Sequence, residues 1–192
     1  MLTTDERRNN QWVELYNSGP STQQIDGWAL AKYGVVLHTF EPGSTILPRE
    51  HKIIEFSGGE VGRVFGPEAP RSPFNEQYVR TTLTNNSPLD PFGDQLMLIN
   101  PNVPSQPLVD YVEWGQLTGP QINWVTNVAI EHGQWTNATP RPELVVDGGP
   151  ESIGRDRHST DSNSPDDWRE TGGEDANSPT RGYTNRYKLN LV

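Results

Sequence analysis

The stretch "QWVELYNSG", Gln11 to Gly19, decides the fold. Trp12, Glu14 and Tyr16 alternate with Val13 and Leu15, which is the two-residue period of a β-strand. Asn17-Ser18-Gly19-Pro20 follows at once, and Asn and Gly accept the positive φ of a turn at low cost, so the strand ends abruptly. The same grammar recurs. Short strand-like segments at residues 27–32, 38–40, 51–55, 79–83, 94–99, 108–114 and 127–131 are each bounded by Gly, Pro, Asn or Asp. Many short strands at this spacing predict an all-β sandwich or barrel rather than alternating βαβ units. No segment sustains the apolar spacing of a helix over three turns, so helix is expected only as single-turn or 3₁₀ pieces.

Composition narrows the function. One domain is expected over residues 1–192, long enough to bury a core without covalent staples. Cysteine is absent, which removes disulfides, thiolate metal sites and cysteine nucleophiles together. Fifteen basic residues against 25 acidic ones give a net charge of −10, and phosphate binding relies on clustered Lys and Arg, so no nucleic-acid partner is expected. Eighteen glycines and 17 prolines exceed average usage without reaching the level of a disordered chain, which suits turn-rich β structure. No apolar run approaches the length of a membrane span, and residues 1–10 lack a basic-then-apolar export signal. Met1-Leu2-Thr3 reads as the end of a strand, so a truncated first strand, with an export signal upstream, is the expectation.

Two segments stand apart. Residues 58–75 hold Gly58-Gly59, Gly66-Pro67, Pro70 and Pro73 with little apolar content, and read as a long excursion between strands. Residues 151–184 are polar, with Ile153 and Trp168 as core anchors, and composition alone would make them disordered.

Taken in order, "WVELYNSG", "IDGWAL" (25–30), "GSTILPREHKIIEF" (43–56), "GDQLMLINPN" (93–102) and "LVDYVEWG" (108–115), then "ESIGRD" (151–156), "DDW" (166–168) and "NSPTRGYTN" (177–185), resemble a lamin tail domain. That family is an immunoglobulin-like β-sandwich of intermediate-filament lamins, and it is widespread in bacterial and archaeal surface or secreted proteins. The resemblance runs from about residue 10 to 185. It implies an immunoglobulin-like sandwich with long loops, and an extended polar C-terminal segment packed on it rather than disordered. An open edge is expected where the first strand is cut short.

Each candidate for chemistry has two readings. Glu14, inside an otherwise apolar strand, is either half of an acid/base pair with Asp110 or Glu113, or a partner of Arg155 that ties the tail to the sheet through charge-assisted hydrogen bonds. The resemblance favours the structural pair of Glu14 with Arg155. His38, His51, His132 and His158 are scattered, without the close spacing of metal ligands. The oxygen-rich loop carrying Asp156, Asp161, Asn163, Asp166 and Asp167 has the makings of a calcium site but lacks the central Gly and terminal Glu of a calcium-binding loop. Trp124 and Trp135, in an elaborated loop region, are the candidates for an exposed aromatic platform that stacks on a glycan. Asn85-Asn86-Ser87 and Asn137-Ala138-Thr139 are glycosylation sequons that matter only in a glycosylating host. Nothing matches a serine-nucleophile elbow or a glycine-rich phosphate loop.

The expectation is a non-catalytic interaction or structural module of a larger prokaryotic cell-surface or secreted protein. No cofactor is expected, the acidic loop being the one candidate for a calcium ion, and the module's partners are protein chains or a glycan. The alternatives are a carbohydrate-binding module built on Trp124 and Trp135, and an acid/base hydrolase using Glu14, Asp110 and Glu113.

Overall fold

The computed structural model describes residues 11–57, 77–82, 89–90, 92–117, 120–136, 141–142, 152–156 and 159–170. The expected first strand at residues 1–3, the excursion at 58–75, both sequons, His158 and the end of the tail beyond 170 lie outside them. The strands are β1 (Gln11–Tyr16), β2 (Gln23–Gln24), β3 (Ala29–Lys32), β4 (Val35–Thr39), β5 (Thr45–Ile46), β6 (His51–Ser57), β7 (Gln77–Thr82), β8 (Gly93–Ile99) and β9 (Leu108–Gly115). A helix, α1 (Pro120–Glu131), follows. The tail adds β10 (Ile153–Arg155), a 3₁₀ turn (Pro165–Asp167) and β11 (Trp168–Glu170).

These elements form an all-β sandwich. One sheet has the order β1-β6-β7 and the other β4-β3-β8-β9, with two small antiparallel pairs, β2-β5 and β10-β11. β1 runs antiparallel to β6, from Gln11 opposite Phe56 to Tyr16 opposite His51, whereas β6 and β7 run parallel. The sheets meet over Ile25, Trp28, Leu30, Leu37, Phe40, Ile46, Ile54, Leu96, Val112 and Trp114. Ile25, Leu30 and Ile54 are at most 1% exposed, and full burial of each such side chain contributes about 1.5–3 kcal/mol.

The other face of the four-stranded sheet is buried as well. Ala31, Met97, Leu108 and Tyr111 pack there against Val125 and Ala129 of α1 and against Trp135. This corrects the expectation of strand at 127–131 and of no true helix. Pro120 occupies the first helical position, where a missing N–H costs nothing. Gly133 closes the helix at φ +69°: its N–H bonds Ile130 O at 2.9 Å while Gln134 N–H reaches Ala129 O at 2.8 Å, the double closure of a Schellman motif. The segment is rich in β-branched residues, Ile122, Val125, Thr126, Val128 and Ile130, whose strand preference masked the helical spacing.

The turn after β1 has its own corrected explanation. Asn17 serves through its side chain rather than through a left-handed backbone. Its Nδ2 donates to Ser21 O at 2.8 Å and Ile46 O at 2.9 Å, and its Oδ1 accepts from Gly19 N at 2.9 Å. Its main chain bonds Glu50 O and Arg49 N, so one residue joins the end of β1 to the β5–β6 connection. Each such net bond contributes about 1 kcal/mol, so Asn17→Ala is expected to lower the unfolding free energy by about 2 kcal/mol in a denaturant titration.

Candidate functional site

β9 presents two chemically different faces. By strand alternation Asp110 lies with Val112 and Trp114 toward the sandwich interior, and Glu113 lies with Tyr111 toward α1. Glu14 stands on β1 in the other sheet, so the three carboxylates weighed as a hydrolase do not converge.

Glu113 is 2% exposed and saturated with donors. Its Oε2 accepts from Tyr111 OH and Thr126 Oγ1, both at 2.7 Å, and its Oε1 from Arg141 Nε at 2.6 Å and Trp135 Nε1 at 3.2 Å. Burial, then the adjacent charge of Glu113, pushes the Tyr111 phenol up, so it remains a neutral donor. Its single proton goes to the carboxylate. Tyr111 OH also lies 2.9 Å from Gln95 Oε1, while the buried Gln95 Nε2 lacks a partner among the described residues. Turning the Gln95 amide over lets Nε2 donate to the phenol oxygen and resolves both facts. The cluster therefore fastens α1 and the Arg141 segment onto the sheet. Removing one partner of a buried ion pair typically costs about 3–5 kcal/mol. Glu113→Ala is accordingly expected to lose most of the folded state's stability in thermal denaturation, and the exposed-side variant Arg141→Ala less.

The tail is tied on by a different carboxylate from the one expected. Among the described residues Arg155 pairs through Nη2 with Asp110 Oδ1 at 2.8 Å and through Nη1 with Asp161 Oδ2 at 3.1 Å. Glu14 meets His51 Nε2 at 3.8 Å, and His51 stacks on Tyr16 with ring centroids 4.6 Å apart. The physical reason is placement, because β9 carries Asp110 and Glu14 belongs to the opposite sheet. Arg155 also lies over the Trp168 ring at 4.9 Å, and Ile153 and Trp168 pack against the core.

Burial pushes the Asp110 carboxyl up to about 6, opposed by Arg155, raised further by Asp161 and lowered by the Tyr111 N–H. Between its ordinary value of 3.8 and about 6 the folded chain holds a proton that the unfolded chain has released. This group therefore favours folding more as pH falls through that window, and less as pH rises. A carbon-detected NMR titration is expected to place Asp110 near 6, with Asp161→Asn moving the midpoint down and Arg155→Ala moving it up. His38 behaves oppositely. Burial lowers its pKa, and its buried Nε2 has no hydrogen-bond partner among the described residues, so its contribution is lost as pH falls.

The acidic loop folds onto itself. Asp167 accepts from Ser162 N and Oγ, both at 2.7 Å, and from Ser164 N at 3.1 Å; Asp156 accepts from Thr160 N and Oγ1; Asp161 accepts from Asn163 N. Asp166 N–H in turn donates to Ser164 Oγ. Among the described residues no group of three or more His, Asp or Glu side chains is arranged to hold a metal ion.

The two candidate tryptophans separate. Trp135 is 3% exposed, T-shaped against Tyr111 and bonded to Glu113, so it belongs to the core and not to a platform. Trp124 is 62% exposed. It lies over the β3–β4 turn, since a Cβ added at Gly34 would stand 3.6 Å from its Cζ3. Tyr33 and Gly34 both have positive φ, as a two-residue type I′ hairpin requires, and they lead into Val35 and Val36, which are 47% and 48% exposed. Among the described residues β4 is outermost in its sheet, and it carries no Lys, Arg, Asp or Glu. Edge strands are usually blunted by charge or proline. Sequence reasoning missed Val35 and Val36, although an uncharged "VVLHT" beside a Tyr-Gly turn was the available signal.

Two packed sheets of short strands are the architecture of an immunoglobulin-like domain. A model of the lamin tail domain family matches residues 2–116, more than half of the chain, and the protein belongs to that family. The match ends just past β9, so α1, Trp135, Arg141 and the β10–β11 tail lie beyond it. No curated protein and no solved structure matches the chain. The family is a non-enzymatic, immunoglobulin-like domain type. Among the described residues no helix is long and apolar enough to cross a membrane.

Proposed function

We propose that this domain is a non-catalytic interaction or structural module of a larger prokaryotic cell-surface or secreted protein, and that it contacts a protein partner along β4 and Trp124. The observations that carry this reading are the exposed Val35 and Val36, one on each face of the outermost described strand of their sheet, and the exposed Trp124 beside the β3–β4 turn. Exposed apolar patches of this kind mark contact surfaces, and an uncharged edge strand offers unpaired backbone groups to an incoming strand. Arg141 and Arg155 are engaged by Glu113 and Asp110 inside the fold, which is how a scaffold uses its charges. The exposure of Trp124 also favours a second reading, a glycan-stacking surface, now with one tryptophan instead of two.

A photo-reactive residue placed at position 36 in the intact host protein, on whole cells, tests the assignment. A cross-linked protein is expected, and it should disappear in Val35→Lys/Val36→Lys at unchanged melting temperature. Saturable polysaccharide binding lost in Trp124→Ala selects the glycan reading. A purely cytosolic chain, or a hydrolytic activity abolished by Glu113→Gln, overturns the proposal.

A further inference from the structure

Lys32 ends β3 and faces Asp94 near the start of β8, inside the sandwich. Their side chains are 7% and 0% exposed, and Lys32 Nζ lies 2.5 Å from Asp94 Oδ2. Two other carboxylates of the domain, the buried Glu113 and the partly exposed Asp110, are met by guanidinium groups, which are not nucleophiles. Only three of the 15 basic residues are lysines, and one of them has been placed here, where an amine touches a carboxyl group out of contact with water.

The surroundings hold both reactants still. Asp94 Oδ2 also accepts from Asp90 N at 2.7 Å, and Oδ1 accepts from Gln95 N at 2.9 Å, so each carboxyl oxygen faces a fixed backbone N–H. Tyr33, on the hairpin turn, lies beside this pair, with the Lys32 ammonium 5.4 Å from the centre of its ring. Tyr33 has φ 51°, a conformation that non-glycine residues rarely adopt, and such strain collects where a side chain must be aimed. The amine nitrogen is thus held in direct contact with the carboxyl group that it would attack.

We propose that Lys32 and Asp94 condense to an intramolecular isopeptide bond that joins β3 to β8. The ammonium first passes a proton to the carboxylate, giving an amine and a carboxylic acid. The Nζ lone pair then adds to Cγ, forming the C–N bond and a tetrahedral centre whose oxygen is held by the backbone N–H donors. One Cγ–O bond breaks, and the hydroxyl leaves with a second proton from nitrogen as one water. Nothing is oxidised or reduced, and no external reagent is required. Exclusion of water from the pocket protects the amide once it has formed. Tyr33 is a positioning residue whose ring flanks the Lys32 ammonium.

The test is the intact mass of the purified protein under denaturing conditions, followed by a tryptic map. The expected mass lies below the sequence sum by one water. The map should show a branched peptide joining the segments that carry Lys32 and Asp94, and no cleavage after Lys32. Lys32→Arg, which keeps the charge and cannot form the amide, is expected at its full sequence mass. A wild-type mass equal to the sequence sum, with trypsin cutting after Lys32, overturns the proposal. So does a water loss that persists in Lys32→Arg, which would mark backbone dehydration elsewhere. Mass is read on the unfolded chain, so a poorly folding variant does not blur the result.

Discussion

The carboxylate of Glu113 sits under α1 without water, and a buried charge is tolerated only where it is fully paired. Its own strand supplies one donor, Tyr111, and every other donor comes from chain beyond β9: Thr126 from the helix, Trp135 from just after it, and Arg141 from the next segment. The later chain that buries this carboxylate therefore also has to bring its partners. That dependence runs both ways, because the later chain has a modest apolar contact of its own in Val125, Ala129 and Trp135. A strand that belongs to the family-matched region thus fixes a helix that does not. The same strand repeats the device on its opposite face, where Asp110 receives Arg155 of the tail. β9 is the hinge point of the molecule's organisation in this chemical sense: the additions to the sandwich are fastened to its acidic residues.

Much of this was legible from residue order. Period-two alternation located seven of the nine strands from Gln11–Tyr16 to Leu108–Gly115 to within a few residues, since a half-buried strand must alternate and a turn must carry Gly, Pro or Asn, but the two-residue β2 and β5 are too short to show a period. The helix was not legible, because its β-branched residues favour strand locally and only tertiary burial against Ala31 and Met97 makes the helical stripe count. Ion-pair partners were not legible either. Alternation gives the face of Asp110 and of Glu113 but not which cation, tens of residues away, will reach that face. Glu14 attracted attention as the lone acid of its strand, yet its environment is set by His51 on the neighbouring strand. Trp124 and Trp135, eleven positions apart in similar sequence, were separable only once one was seen bonded to Glu113 and the other lying over Gly34.

Polar composition misleads in the segment from Ile153 to Glu170 for a related reason. Few apolar residues are present, but Ile153 and Trp168 both reach the core, and the carboxylates between them are spent on local N–H and hydroxyl groups. A segment of this kind needs little hydrophobic area of its own, since the sandwich already provides the surface on which it orders.

The parallel pairing of β6 with β7 constrains how the sandwich comes together. Two neighbouring strands that point the same way cannot be joined by a tight reversal, so the chain leaving Ser57 has to travel back along the full length of β6 before Gln77 can enter the sheet. Closing that excursion costs chain entropy before a single ladder bond offsets it. The β3–β4 hairpin, closed by two residues, carries no such cost, whereas the smaller sheet is assembled only from pairings that close long stretches of chain, residues 17–50 between β1 and β6 and 58–76 between β6 and β7.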